Sequence, residues 1–181
     1  IREVTEGTFA YDDKCYYCST GVLDGVRGIV AFEIDPLTGE ILSDKHLISE
    51  GCGGQCAEGP HIYRKDGFYY LMIAEGGTEY AHRETMQRSD NIYGPYIPCP
   101  HNPIISHKEY KKSEIQATGH ADLVEDENGN WWLVFLGIRR FSHALLHNLG
   151  RETFLAPVTW DEDGWPVVGY NGNGTIELIM D

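Results

Sequence analysis

Residues 61–73 read His-Ile-Tyr-Arg-Lys-Asp-Gly-Phe-Tyr-Tyr-Leu-Met-Ile. The run is a short apolar strand, then the polar turn Asp66-Gly67, then a second strand that opens with the aromatic pair Tyr69-Tyr70. Asp-Gly supplies the positive φ angles that a tight hairpin turn requires. These residues therefore predict a β-hairpin.

Two similar patterns flank this hairpin in the chain. Residues 9–17 lead through a polar turn to Tyr16-Tyr17, and residues 121–135 lead through Asn128-Gly129 to Trp131-Trp132. The aromatic pairs begin at positions 16, 69 and 131, so the period is 53 and then 62 residues. A strand-built repeat of this length suits the four-stranded blades of a β-propeller.

The segments between the hairpins agree with this interpretation. Residues 28–34, 35–39 and 40–42 read as strand, turn and strand, and further strand material lies at 154–168. We predict an all-β fold with no helix longer than two turns, about three blades plus closing strands, in a single domain over residues 1–181. Because propellers usually need four to eight blades to close, the prediction is part of a larger propeller, with a β-sandwich as the alternative.

Composition excludes several classes of partner. The chain has 181 residues and a formal net charge of −14, which opposes binding to nucleic acid or to an anionic membrane. No stretch approaches about 20 consecutive apolar residues, and no charged-then-apolar leader opens the sequence. The five cysteines cannot all pair within the chain, which favours a reducing, cytoplasmic compartment.

Three polar residues precede the three hairpins at nearly equal distances. Glu6 lies 10 residues before Tyr16, and Glu58 and His120 each lie 11 residues before the next aromatic pair. The first strand of each propeller blade lines the central channel, so we expect these three side chains to converge there. Paired carboxylates raise one pKa and so keep a proton donor available. The alternative is that Glu6 and Glu58 are solvated loop acids.

Residues 58–78 resemble the general-acid region of glycoside hydrolase family 43. Residues 118–124, followed by Trp131-Trp132, resemble the family's channel-histidine blade, and residues 149–153, 157–160 and 164–166 resemble its closing blade. The three motifs occur in the family's order and span nearly the whole chain. The resemblance implies a five-bladed β-propeller enzyme of the β-xylosidase, α-L-arabinofuranosidase or arabinanase type.

The resemblance also implies roles for individual residues. Glu58 matches the general acid that protonates the departing glycosidic oxygen. Arg151 matches an arginine that hydrogen-bonds sugar hydroxyls in the subsite for the terminal pentose. His120 matches a histidine beneath that subsite, which in relatives supports the substrate or a channel ion. The alternatives are a structural ion pair of Arg151 with Glu152 or another acid, and a satisfied core histidine at position 120.

Two departures from the family pattern bear on activity. Glu6 stands where the family has a pKa-tuning Asp, so it is either a functional substitute or an inactivating change. The general-base Asp of the family lies before the segment with which this sequence begins. The sequence therefore predicts a fragment that holds the acid but not the base, inactive by itself, with an N-terminal piece as partner.

The resemblance implies an inverting glycosidase that releases terminal β-D-xylosyl or α-L-arabinofuranosyl residues from hemicellulose oligosaccharides. We expect no required cofactor, although relatives hold Ca²⁺ or another ion in the channel. The alternatives are a non-catalytic carbohydrate-binding or degenerate propeller and an enzyme of a neighbouring five-bladed clan that acts on fructosides. The choice between xylose and arabinose stays open, because it depends on contacts worth only ~1–3 kcal/mol.

Other polar clusters have simpler interpretations. Cys15 and Cys18 have an odd offset within a predicted strand, which places their side chains on opposite faces and disfavours zinc. Cys52 and Cys56 allow a local disulfide or serve as small side chains near the pocket. His143 and His147 have the spacing of a helical metal pair, but we interpret residues 141–148 as a loop over the pocket mouth.

Overall fold

The structure is a computed structural model that describes residues 8–11, 13–141 and 150–169. Thirteen strands in this part of the chain form three antiparallel sheets, which follow one another along the sequence as three propeller blades. The prediction of an all-β partial propeller is therefore confirmed. None of the described segments forms a helix long and apolar enough to cross a membrane.

The strands of each blade are consecutive in the chain. The first blade contains β1 (Thr8–Tyr11), β2 (Lys14–Leu23), β3 (Val26–Ile34) and β4 (His46–Ser49). The second contains β5 (Glu58–Lys65), β6 (Phe68–Glu75), β7 (Arg83–Ser89), β8 (Ile97–Pro98) and β9 (Ile105–Ser106). The third contains β10 (Ile115–Glu125), β11 (Trp131–Arg139), β12 (Arg151–Trp160) and β13 (Pro166–Val168).

The hairpin turns explain how the blades form. Asp66 and Gly67 have φ angles of 49° and 87°, as the Asp-Gly turn predicts. A similar turn at Asp24 (φ 51°) and Gly25 (φ 83°) joins β2 to β3. The predicted strand at 40–42 is wrong: Ile41 makes a single bridge to Ile34, and the fourth strand of the first blade is β4.

Strand β6 lies at the centre of the structure, and alternate side chains face opposite neighbours. Leu71 and Ile73 belong to a core cluster shared with the first blade, whereas Tyr70 and Met72 belong to one shared with the third. Side chains on successive residues of a strand point to opposite faces. The second blade is therefore buried on both faces, which matches the continuous apolar run Leu71–Ala74.

Aromatic residues of the predicted pairs pack between blades at two places. Tyr70 makes edge contacts with Trp160 and Trp165 of the third blade, and its hydroxyl donates to the carbonyl oxygen of Gly164 at 2.6 Å. Tyr16 of the first blade contacts Tyr93 of the second, with 6.1 Å between ring centroids. These contacts join the second blade to the third and to the first.

Candidate active site

Glu58 is the first residue of the inner strand β5. It pairs with Ala74 of β6, and the register then shifts by one residue before His61 pairs with Met72. Gly59, within this bulge, has a φ of 55°. A β-bulge bends a strand and redirects a side chain, so it sets where the half-buried Glu58 carboxylate lies.

His120 occupies a bulge of the same kind in the inner strand β10. Gly119 pairs with Leu136 and Asp122 with Val134, with a register shift between them, and His120 has a φ of 52°. His120 is therefore the counterpart of Gly59, and Gly119 is the counterpart of Glu58. The predicted equivalence of Glu58 and His120 is wrong by one residue.

Turn length explains this error. Four residues separate Arg64 from Tyr69, which pair across the β5–β6 turn, whereas five separate Glu125 from Trp131 across the β10–β11 turn. A count of 11 residues back from the aromatic pair therefore reaches different places in the two strands. The bulge of β10 nevertheless faces that of β5, because the His120 ring lies against Gly59.

The imidazole of His120 lies directly on Gly59. A Cβ atom at position 59 would stand 2.9 Å from Nε2 of His120 and 3.1 Å from Cε1. Glycine is required here because it permits both this close approach and the positive φ angle. His120 thus lies against the residue next to Glu58, half-buried, and its ring is packed on backbone rather than enclosed in the core.

His82, which the sequence analysis did not select, contacts the inner strand β10 that carries His120. It is 1% exposed, its ring covers Gly119, and Nδ1 is 3.1 Å from the carbonyl oxygen of Ala117. Burial lowers the pKa of His82; the charge of Glu58 raises this pKa, whereas those of His120 and Arg151 lower it. The charges of three residues predicted from the sequence thus act on one buried imidazole.

Arg151 is the exposed first residue of β12 and pairs with Ile138 of β11. The alternative of an ion pair with Glu152 is not observed, because Glu152 pairs with Arg139 through two contacts of 3.2 and 3.1 Å. Within the described ranges Arg151 makes no salt bridge. Its guanidinium thus remains available to donate hydrogen bonds to a ligand.

The buried carboxylate of Glu75 holds the loop that leads into Glu58 through a hydrogen bond. Glu75, with no exposed surface, accepts hydrogen bonds from the backbone N–H of Cys52 at 2.5 Å and from Nε and Nη2 of Arg83 at 3.2 and 2.9 Å. A Cβ atom on Gly51 or Gly54 would lie 2.5 to 2.7 Å from the Glu75 side chain. The glycines of this loop therefore let it close over Glu75.

The remaining candidates do not add to the site. All five cysteines are free thiols, so the disulfide of Cys52 with Cys56 is not formed. Glu6, His143 and His147 lie outside the described residues. Over residues 8–11, 13–141 and 150–169 no three His, Cys, Asp or Glu side chains group at metal-ligand spacing.

Comparison with known proteins identifies the family. A family profile described as glycosyl hydrolases family 43 matches residues 7–166. The chain belongs to this family. The residues that match family 43 include Glu58 and the segment 58–78, which resembles the family's general-acid region.

Relatives within family 43 are similar over most of this chain. A non-reducing-end α-L-arabinofuranosidase of Bacteroides ovatus is 48% identical over 161 residues, which is 89% of this chain and 30% of the relative. A xylosidase/arabinosidase of Butyrivibrio fibrisolvens is 42% identical over 183 residues, covering 96% of this chain and 35% of the relative. The chain thus spans about a third of the length of these curated relatives.

Solved family 43 structures share the fold of this chain. The xylan β-1,4-xylosidase of Bacillus halodurans superimposes with a TM-score of 0.83 at 35% identity, over 91% of this chain and 33% of that protein. The Bacteroides ovatus protein described as "Xyloglucan PUL GH43B" gives a TM-score of 0.85 at 46% identity, over 93% of this chain and 33% of that one. The three blades are therefore part of a five-bladed family 43 propeller.

Proposed function

We propose that this chain is the C-terminal portion of the catalytic propeller of an inverting glycosidase, one that releases terminal β-D-xylosyl or α-L-arabinofuranosyl residues from hemicellulose oligosaccharides. The observation that carries the proposal is the packing of His120 on Gly59, the residue next to Glu58, between two neighbouring blades. The charges of Glu58, His120 and Arg151 all act on the pKa of the buried His82, which supports placing these groups in one site.

Glu58 is the proton donor in this proposal. It is half-buried at the head of β5, in a bulge whose next residue, Gly59, lies against the His120 ring. Inverting glycosidases place a second carboxylate roughly 6.5–9.5 Å away, on the opposite face of the sugar, to activate a water molecule. The acid protonates the leaving oxygen while the water attacks the anomeric carbon and loses its proton to the base. This chemistry uses side chains alone.

Arg151 and His120 hold the sugar in this proposal. A planar guanidinium donates two parallel hydrogen bonds, which suits a pair of adjacent sugar hydroxyl groups. Arg151 is exposed and unpaired within the described residues, so these donors are free to meet a ligand. His120 presents an imidazole from the inner strand of the same blade, and together they favour recognition of a terminal residue.

The base and the remaining blades come from an N-terminal piece in this proposal. The chain spans about a third of the length of its curated relatives. The resemblance to the family implies that the general base precedes the matched segment. We therefore propose that residues 1–181 form one incomplete domain and that hydrolysis requires the preceding blades. Glu6 acts in the complete site as the carboxylate that tunes Glu58.

The first experiment determines the intact mass of the protein isolated from its source, under denaturing conditions. We expect a polypeptide that carries N-terminal blades, either joined to this chain or as a second species of ~100–150 residues, in keeping with a propeller domain of family size. The complete enzyme should hydrolyse nitrophenyl β-D-xyloside or nitrophenyl α-L-arabinofuranoside.

Glu58→Gln should abolish that hydrolysis, because an amide cannot donate the proton; general acid catalysis contributes roughly 10²–10⁴-fold. Glu50→Gln is the matched control, since Glu50 is an exposed acid in the same loop. Saturable sugar binding without hydrolysis by the complete protein would instead favour a carbohydrate-binding or degenerate propeller. Hydrolysis of fructosides would favour the neighbouring clan.

A further inference from the structure

Two polar side chains at the start of β7 contact the inner strand of the next blade. Nδ1 of His82 lies 3.1 Å from the carbonyl oxygen of Ala117, and because a carbonyl only accepts, this nitrogen carries the proton. Glu84, two residues on, accepts a hydrogen bond from the backbone N–H of Ala121 at 3.0 Å. The second blade thus contacts β10 both before its bulge and within it.

The N–H group bound by Glu84 belongs to the bulge itself. The register of β10 against β11 shifts between Gly119 and Asp122, so the residues between them lie outside the regular ladder. His120, next to Ala121, also has a φ of 52°, a strained conformation for a residue with a Cβ atom. Such a conformation persists only when surrounding contacts determine it, and Glu84 supplies one of them.

The burial of Glu84 indicates a role beyond packing. The side chain has no exposed surface, and Oε1 has no hydrogen-bond partner in the described part of the chain. Burial raises its pKa well above the ordinary value. A buried carboxyl group with an unsatisfied oxygen is costly, and an apolar side chain of similar size would avoid that cost.

We propose that Glu84 is a positioning residue for the catalytic site: by holding the Ala121 N–H group within the β10 bulge, it keeps His120 against Gly59, the residue next to Glu58. The expected effect of Glu84 on catalysis rests on the proposed function. Its expected effect on the position of His120 rests only on the contacts of Glu84.

The experiment compares four variants. Glu84→Ala removes the acceptor, Glu84→Asp withdraws it by one methylene group, and Glu84→Gln retains an acceptor oxygen at the same reach. Gln87→Ala is the matched control, because Gln87 is buried on the same strand but makes its hydrogen bonds to Ser49 of the first blade. If Glu84→Ala does not fold, Glu84→Asp takes its place.

Amide hydrogen exchange and the imidazole NMR signals of His120 are measured on the 181-residue chain. We expect Glu84→Ala and Glu84→Asp to speed exchange at His120 and Ala121 by about tenfold or more and to shift the His120 signals. Glu84→Gln should restore most of the protection, and Gln87→Ala should leave it unchanged. Unchanged protection and His120 signals in both Glu84→Ala and Glu84→Asp would overturn the proposal.

Kinetics are measured on the complete enzyme. We expect kcat/KM to fall by up to about 100-fold in Glu84→Ala, because a displacement of about 1 Å at a catalytic group has an effect of this size. Glu84→Gln should restore kcat/KM, and Gln87→Ala should leave it unchanged. An equal loss in Gln87→Ala would reduce Glu84 to a structural residue and overturn its positioning role. An inactive wild-type enzyme would instead refute the proposed function, and the exchange data would still decide whether Glu84 positions His120.

Discussion

At the scale of single residues, two imidazole rings lie against two glycines. His120 covers Gly59 and His82 covers Gly119, and a Cβ atom added to either glycine would come within 2.9 Å of the ring. Gly59 also has a positive φ angle, whereas Gly67, in the β5–β6 turn, has a φ of 87° with open space around it. Substitutions at Gly59, Gly67 and Gly119 therefore distinguish the cost of backbone strain from the cost of steric overlap.

Alanine at each position measures the two effects. Gly67→Ala should cost about 1–2 kcal/mol of unfolding free energy from strain, and Gly119→Ala about 1–3 kcal/mol from overlap with His82. Gly59→Ala combines both and should cost roughly 2–5 kcal/mol. Urea unfolding of the three variants gives these values. A Gly59→Ala variant as stable as Gly67→Ala would show that His120 does not pack on Gly59.

At the scale of elements, the β10–β11 turn is organised by one half-buried carboxylate. Asp126 accepts hydrogen bonds from the backbone N–H groups of Asn128 and Asn130, each at 2.9 Å, and from Nε1 of Trp132 at 3.2 Å. Hydrogen bonds from Asn130, first through its side chain, lower the pKa of Asp126 to about 2. The charged form therefore stabilises the hairpin.

This pKa predicts how the hairpin responds to acid. Because the folded-state pKa is lowered, the contribution of Asp126 is complete above its ordinary pKa of 3.8 and is lost as the pH falls towards about 2. Asp126→Asn should remove this part of the acid dependence of unfolding free energy, whereas Glu127→Gln, in the same exposed turn, should not. NMR titration of the Asp126 carboxyl carbon measures the pKa directly, and a midpoint at 3.8 or above would contradict the prediction.

At the scale of the whole molecule, the second blade joins the other two. One apolar cluster is shared by the first and second blades and the other by the second and third, and β6 contributes to both. All four tryptophans, at 131, 132, 160 and 165, belong to the third blade. Tryptophan fluorescence therefore reports on the third blade, whereas far-ultraviolet circular dichroism reports on all three.

We expect the two signals to give coincident urea unfolding curves, because a cooperative unit unfolds without populated intermediates. Tyr70→Phe removes the hydrogen bond to Gly164 between the second and third blades and should lower the unfolding free energy by about 0.5–1.5 kcal/mol. Both signals should shift together in this variant. Two separate transitions in the wild-type chain would show instead that the third blade is an independent unit.

The sequence by itself determined the strands and their order. Local signals were sufficient for this, since Asp66-Gly67 encodes its turn through backbone preference and the apolar run of β6 encodes burial on both faces. The candidate acid Glu58 and its neighbours Arg151 and His120 followed from motifs in the family's order. In contrast, the position of His120 relative to Glu58 differs by one residue from the predicted one. The β5–β6 and β10–β11 turns differ in length, and β5 and β10 each carry a bulge.

Only the tertiary structure identified His82, Glu84 and Glu75. Each is a polar residue whose significance lies in a contact with a distant segment: His82 with Ala117, Glu84 with Ala121, and Glu75 with Cys52. No spacing in the sequence encodes these contacts, because they form only when separate strands and loops pack side by side. The strands follow from local conformational preference, whereas the site depends on how neighbouring blades are held together.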